Sequence, residues 1–179
     1  MRPRLVTFLL LALAVWGSIS LLGGCGSEDE TEVNEGEALE LGETTFNVQI
    51  TRFLNPASPE DSTYLQNAPK LGKGQQFLGV FMQVTNNGDE PTVVPQPFKI
   101  VDTRGTIYVQ ERIENGFALL PGTPLAPGEG VPGAETAASN GPIEGSMILF
   151  ALDEGATENR PLQLQVPGPD GVGVIELDL

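Results

Sequence analysis

Histidine is absent from all 179 residues, and that gap removes a large share of protein chemistry. Without imidazole there is no Ser-His-Asp or Cys-His nucleophile pair, and the commonest general base and zinc ligand are both missing. Cysteine occurs once, at Cys25, so no intrachain disulfide can form and the domain must be held by its core. Basic residues are scarce too, 9 Lys and Arg against 24 Asp and Glu. A surface of that sign repels phosphate backbones and anionic headgroups, which excludes nucleic acid as a partner and membrane attachment through a basic patch.

Other catalytic patterns are missing as well. None of the seven serines (Ser18, Ser20, Ser27, Ser58, Ser62, Ser139, Ser146) sits in Gly-x-Ser-x-Gly or Ser-x-x-Lys. Gly72-Lys73-Gly74 lacks the spaced glycines and the following Ser or Thr of a phosphate loop, and reads as a turn. A convergent carboxylate pair drawn from Asp89, Asp102, Glu111 and Glu114 is the one enzymatic arrangement left open. The expectation is a non-enzymatic protein with no cofactor and no metal.

Only one long apolar run is present. Leu5 to Leu22 carries no charge, follows Arg2 and Arg4, and ends on Gly23-Gly24-Cys25. A positive start, an apolar core and small residues before a cleavage point make an export signal. Leu22-Gly23-Gly24-Cys25 resembles the lipobox of bacterial lipoproteins, which implies cleavage before Cys25 and acylation of its thiol. The expected location is the cell membrane, lipid-anchored on the extracytoplasmic side. An uncleaved spanning anchor is the competing reading, weakened by Gly17, Ser18 and Ser20. Without residues 1–24 the chain keeps 7 basic and 24 acidic residues, a formal charge of −17.

Residues 25–43 follow as a tether. Eight of the eighteen residues 26–43 are acidic and none is basic, so the segment is expected to self-repel and stay extended, with a reach of roughly 60 Å. Its acids lack the Asp-x-Asp-x-Asp-Gly spacing of a calcium loop.

Residues 44–179 are expected to fold as one domain. Short apolar or alternating runs, divided by Gly, Pro and Asn, fall at Thr45–Phe53, Gln76–Thr85, Phe98–Val101, Thr106–Gln110, Ser146–Leu152, Pro161–Val166 and Val172–Leu177. In the first, Phe46, Val48 and Ile50 would share the buried face. The second is apolar on both faces at its start, which marks a central strand. Nothing sustains helical spacing over three turns. The pattern predicts an all-β, two-sheet antiparallel β-sandwich of about 7–8 strands.

Phe77-Leu78-Gly79-Val80-Phe81-Met82-Gln83-Val84-Thr85-Asn86-Asn87-Gly88-Asp89-Glu90-Pro91, Phe98-Lys99-Ile100-Val101-Asp102-Thr103-Arg104-Gly105-Thr106-Ile107-Tyr108 and Leu125-Ala126-Pro127-Gly128-Glu129 together resemble a widespread bacterial domain of unknown function. That family is similar to a small secreted immunoprotective antigen of mycobacteria. The resemblance implies the immunoglobulin-like sandwich and the lipoprotein context, and no activity.

Two functions fit these features. The first is a binding or adaptor module that meets an unknown envelope or extracellular protein or peptide. The second is a structural acidic envelope component or weak divalent-cation binder. Long connections are often functional, and 55–74 and 115–141 both qualify. Within the second, Leu120, Pro121, Leu125 and Pro127 form the expected partner loop, while Phe117 and Leu119 fit equally well as core.

Overall fold

The computed structural model describes residues 31–179. Twelve strands run in chain order as β1 (Glu32–Asn34), β2 (Ala38–Leu41), β3 (Thr44–Leu54), β4 (Gln75–Asn86), β5 (Thr92–Val93), β6 (Lys99–Val101), β7 (Ile107–Val109), β8 (Pro124–Leu125), β9 (Gly130–Val131), β10 (Ser146–Asp153), β11 (Leu162–Pro167) and β12 (Val172–Leu177). Among the described residues, helical structure is confined to α1 (Pro59–Ser62), α2 (Ala137–Asn140) and a 3-10 turn at Ala156–Asn159. One sheet has the order β1-β12-β11-β6-β7 and the other β10-β4-β3-β2, with β9 continuing the β10 edge of β4 and a small β5-β8 ribbon. The fold is the expected β-sandwich. Its strand count is higher because two-residue pairings at the rims are too short to leave an alternating pattern, and β1 joins β12 in parallel.

The main core lies between the sheets. Leu78, Val80, Met82 and Val84 point inward from β4 and meet Phe98, Ile100, Leu164 and Ile175 of the facing sheet. Phe46 and Phe98 touch edge to face with ring centroids 6.4 Å apart. Val80 is 0% exposed. β4 is central as expected, flanked by β3 and β10.

β3 departs from strict alternation. The ladder slips between Val48 and Ile50, and this bulge inserts a residue that reverses the facing of everything after it. Phe46 and Val48 are buried as expected, but Ile50 turns outward and is 40% exposed. Thr51 and Phe53 then pair with Val80 and Leu78 in its place.

The outer face of β4 is apolar because it is covered. Phe77, Phe81, Leu54, Met147 and Leu149 form a second buried cluster with Tyr64 and Ile113, against which Leu65, Leu71 and Phe117 pack. Tyr64 contacts Phe81 and Phe117 edge to face at 5.2 and 4.7 Å. Polar ties hold this cover in place. The Arg52 guanidinium pairs with buried Asp61, whose other oxygen accepts the Asn55 N–H at 2.8 Å. Asn115 Nδ2 donates to the Tyr64 carbonyl at 2.8 Å. The stretches 55–74 and 113–118 therefore act as a third layer over one sheet.

The expected flexible segment 25–43 is shortened. Residues 32–34 and 38–41 are strands, with Val33, Leu39 and Leu41 buried in the main core. Glu32 and Glu40 alternate with them on the solvent side, so the acid-rich composition hid a period-two pattern. The lipobox Leu22, Gly23, Gly24 and Cys25 lies outside the described residues.

Candidate functional site: an acidic groove at one end of the sandwich

Three connections meet at one end of the sandwich: the β2–β3 turn, the segment between β4 and β5, and the β11–β12 hairpin. Their residues enclose an open groove of about 520 Å³, within the size range of ligand sites. Gly42 makes the first turn at φ +61°, and a Cβ there would lie 3.1 Å from the Pro169 ring. Glycine thus gives both the left-handed turn and the close approach of the hairpin.

Four proline rings (Pro91, Pro95, Pro167, Pro169) wall the groove with Thr44, Thr92 and Val93, while Phe46 and Asn86 contribute to it from the core. Glu43 and Glu90 are its acidic lining residues, and the Glu43 carboxylate lies against Gly88 at its border. Among the described residues, ion pairs join Arg52 to Asp61 and Arg112 to Glu114, so neither groove carboxylate is neutralised. Val93 is 55% exposed, and β5 pairs with β8 alone. Thr92 and Val93 line the groove whereas the β8 residues do not, which leaves the unladdered edge of β5 beside it.

Asn86 fixes this wall. It is buried, and its Nδ2 donates to the carbonyls of Glu90 at 2.8 Å and of Leu125 and Ala126 at 3.2 Å. Its Oδ1 accepts the Gly88 N–H at 3.0 Å, and its backbone exchanges bonds with Glu129 and Gly128. The Asn86 and Leu125–Glu129 elements, read in the sequence as separate signatures, are one hydrogen-bonded clasp.

The expected partner loop is divided by the fold. Leu120, 44% exposed, and Pro121 line a second depression of about 420 Å³ with Gln96, Pro97, Val109, Gln110, Arg112 and Glu114. There the one acid is matched by Arg112 at 2.9 Å. Leu125 is 1% exposed and belongs to the main core, because β8 pairs with β5 and draws it inward. It is corrected from contact residue to core residue. Pro127 is exposed on its turn, Leu119 is buried, and Phe117 packs on the second cluster.

Of the four acids considered for a catalytic pair, Asp89 and Asp102 lie in separate turns, and Glu111 and Glu114 share the segment after β7. Asp89 lies in the turn after β4, Glu111 bridges to Leu149, and Glu114 pairs with Arg112. Asp102 is spent on the β6–β7 turn, accepting the Arg104 and Thr106 N–H groups at 2.9 and 2.8 Å. Burial pushes its carboxyl up, but the bonds from Thr106 and Arg104, with the Arg104 charge, hold it below its ordinary value. Among the described residues no three Asp or Glu are grouped to hold a metal ion. Glu43, Glu90 and the proline walls were missed in the sequence, where the only local signals were Gly42 and Gly168-Pro169-Asp170-Gly171.

No protein-family model matches the chain, and no curated protein matches it. Likeness appears at the level of shape. An uncharacterized β-sandwich protein from Clostridium difficile 630 superposes with a TM-score of 0.51 at 13% identity, covering 82% of this chain and 93% of that one. The YjhA protein from Bacillus subtilis gives 0.55 at 15% identity, over 81% and 99%. A Bacillus subtilis protein described as a candidate lipoprotein gives 0.50 at 14%, over 81% of this chain and 39% of its own. The relation to the mycobacterial antigen gains no support from these comparisons. The chain is similar in fold to bacterial β-sandwich proteins, one of them described as a candidate lipoprotein.

Proposed function

We propose that the chain is a lipid-anchored, extracytoplasmic, non-enzymatic binding module of the cell envelope, with the end groove as its recognition surface. The groove carries this reading: it is open, apolar-walled, bordered by an unladdered strand edge, and holds two carboxylates without countercharge. Anchorage rests on the Leu22–Cys25 lipobox and fits the lipoprotein description of one structural neighbour. Thr31 accepts the Val174 N–H at 2.7 Å and lines a smaller depression that shares Leu41, Gly42, Gly168 and Pro169 with the groove. Cys25 lies six residues before Thr31, a span of about 20 Å when extended. Acylation at Cys25 would therefore hold the groove end toward the bilayer.

Two measurements test this. Cys25→Ser should abolish incorporation of labelled fatty acid, and retained labelling removes the anchor. A photo-crosslinking residue at Val93, in the anchored protein in its own envelope, should give discrete adducts that the same residue at Ile107, 57% exposed on β7, does not. Equal, salt-sensitive adducts from both positions would instead favour the acidic spacer or weak cation binder.

A further inference from the structure

The groove's charge and its open strand edge point to a specific ligand class. All seven basic side chains of the described chain lie outside it: Arg52, Lys70, Lys73, Lys99, Arg104, Arg112 and Arg160. Arg52 and Arg112 are paired with carboxylates, and Arg160 donates to the Leu179 carbonyl. Glu43 and Glu90 thus sit in a cleft of the domain with no internal cation to answer them, in a chain whose remaining charge is strongly negative. Low-dielectric walls focus such a field onto whatever enters.

We propose that the groove binds an extended peptide segment bearing a lysine or arginine side chain, laid along the free edge of β5. The proposal rests on the binding-module reading and adds the ligand's chemistry. Strand addition would use the Val93 N–H and carbonyl and the carbonyls of Pro91 and Pro95, the prolines having no N–H to give. The proline rings, Val93 and the threonine methyls suit the aliphatic stem of a long basic side chain, whose charged head then reaches Glu43 and Glu90. The second depression lacks this combination, because its acid is already paired. Rigidity favours the groove too, since four prolines and the Asn86 clasp set its walls before a ligand arrives.

The test is selection of randomised nonapeptides displayed on phage against residues 26–179, the chain without its signal and cysteine. Selected peptides should be enriched in Lys or Arg with β-branched or apolar neighbours, and Thr92→Trp should abolish their capture. For the best peptide, acetylating its lysine (or replacing its arginine by citrulline) should weaken binding about tenfold or more, equivalent to about 1.4 kcal/mol. Glu43→Gln and Glu90→Gln should each weaken it, and the double variant should lose the preference for the charged side chain. Glu60→Gln, an exposed acid outside the groove, should leave binding unchanged. Methylating alternate peptide nitrogens should also weaken binding. No enrichment, enrichment of acidic peptides, or equal loss with Glu60→Gln would overturn the proposal. Equal binding of the isolated amino acid would overturn its peptide half. If Val93 still crosslinks to a discrete species in those cases, the binding module stands and only the ligand class fails.

Discussion

Replacing Asn86 by leucine should separate two asparagines that are adjacent in sequence and opposite in structural role. Leucine keeps the same branched heavy-atom skeleton with bulkier methyl ends, so the change removes the polar clasp while still filling the site. In the parent, one side chain serves three carbonyls and one N–H. Two of those bonds, to the Leu125 carbonyl and from the Gly88 N–H, are buried. A buried polar group left without a partner costs about 1–3 kcal/mol, so the two together cost about 2–6 kcal/mol. Apolar burial of leucine returns part of this, leaving about 3 kcal/mol. Against a typical domain stability of about 5–15 kcal/mol, the variant should fold but melt roughly 6–12 °C lower, at about 2–4 °C per kcal/mol. The control is Asn87→Ala, whose Nδ2 makes one exposed bond to Thr45 Oγ1 at 2.6 Å; its melt should move by no more than about 2 °C. Calorimetry on residues 26–179 reads both. If Asn86→Leu melts within 2 °C of the parent, the clasp is not a stabilising element, and the account of a preformed groove wall falls with it.

Three further outcomes are expected. Val80→Asp buries an unpaired charge on the central strand at a cost of several kcal/mol, and should abolish the cooperative melt of residues 26–179; a normal transition would mean β4 is not central. Asp102 has a folded pKa below the ordinary 3.8, so its contribution to stability is present above that value and is lost as pH falls through the lower, folded one; the stability gap between the parent and Asp102→Asn should therefore narrow on acidification below pH 3.8, and a constant gap in urea titrations from pH 5 to 2 would contradict the assigned turn bonds. Replacing residues 120–141 by a short Gly-Ser link should lower the melt strongly, because it deletes Leu125 from the core and the Val131 pairing with Val84; an unchanged melt would return the segment to the status of a free loop.

The sandwich was legible because its long strands announce themselves locally. Leu78, Val80, Met82 and Val84 carry period two, and Asp102-Thr103-Arg104-Gly105 marks the β6–β7 hairpin without reference to anything distant. What covers the other face of β4 was not legible. Phe77 and Phe81 showed that some cover must exist, but its pieces, Tyr64 and Phe117, sit in proline- and glycine-rich stretches with no periodicity of their own. Connections of that length read as candidate binding loops, yet here the need to sheath a doubly apolar strand claims the 55–74 stretch and the 113–118 segment. The bulge in β3 was equally invisible, since Ile50 continues the alternation begun by Phe46 and only the slipped ladder turns it outward. The groove lay furthest from view. Gly42, the Asn86–Pro91 segment and Pro169 are widely separated along the chain, and turn chemistry alone says nothing about which turns share an end of the molecule. The same distance explains its position relative to the anchor. Once Val33, Leu39 and Leu41 are committed to the core, the span from Cys25 shrinks from eighteen residues to six, and Thr31, just before the strand that pairs with β12, lies beside Gly168 and Pro169. A lipid on Cys25 and a ligand between Glu43 and Glu90 would then occupy the same end of the domain.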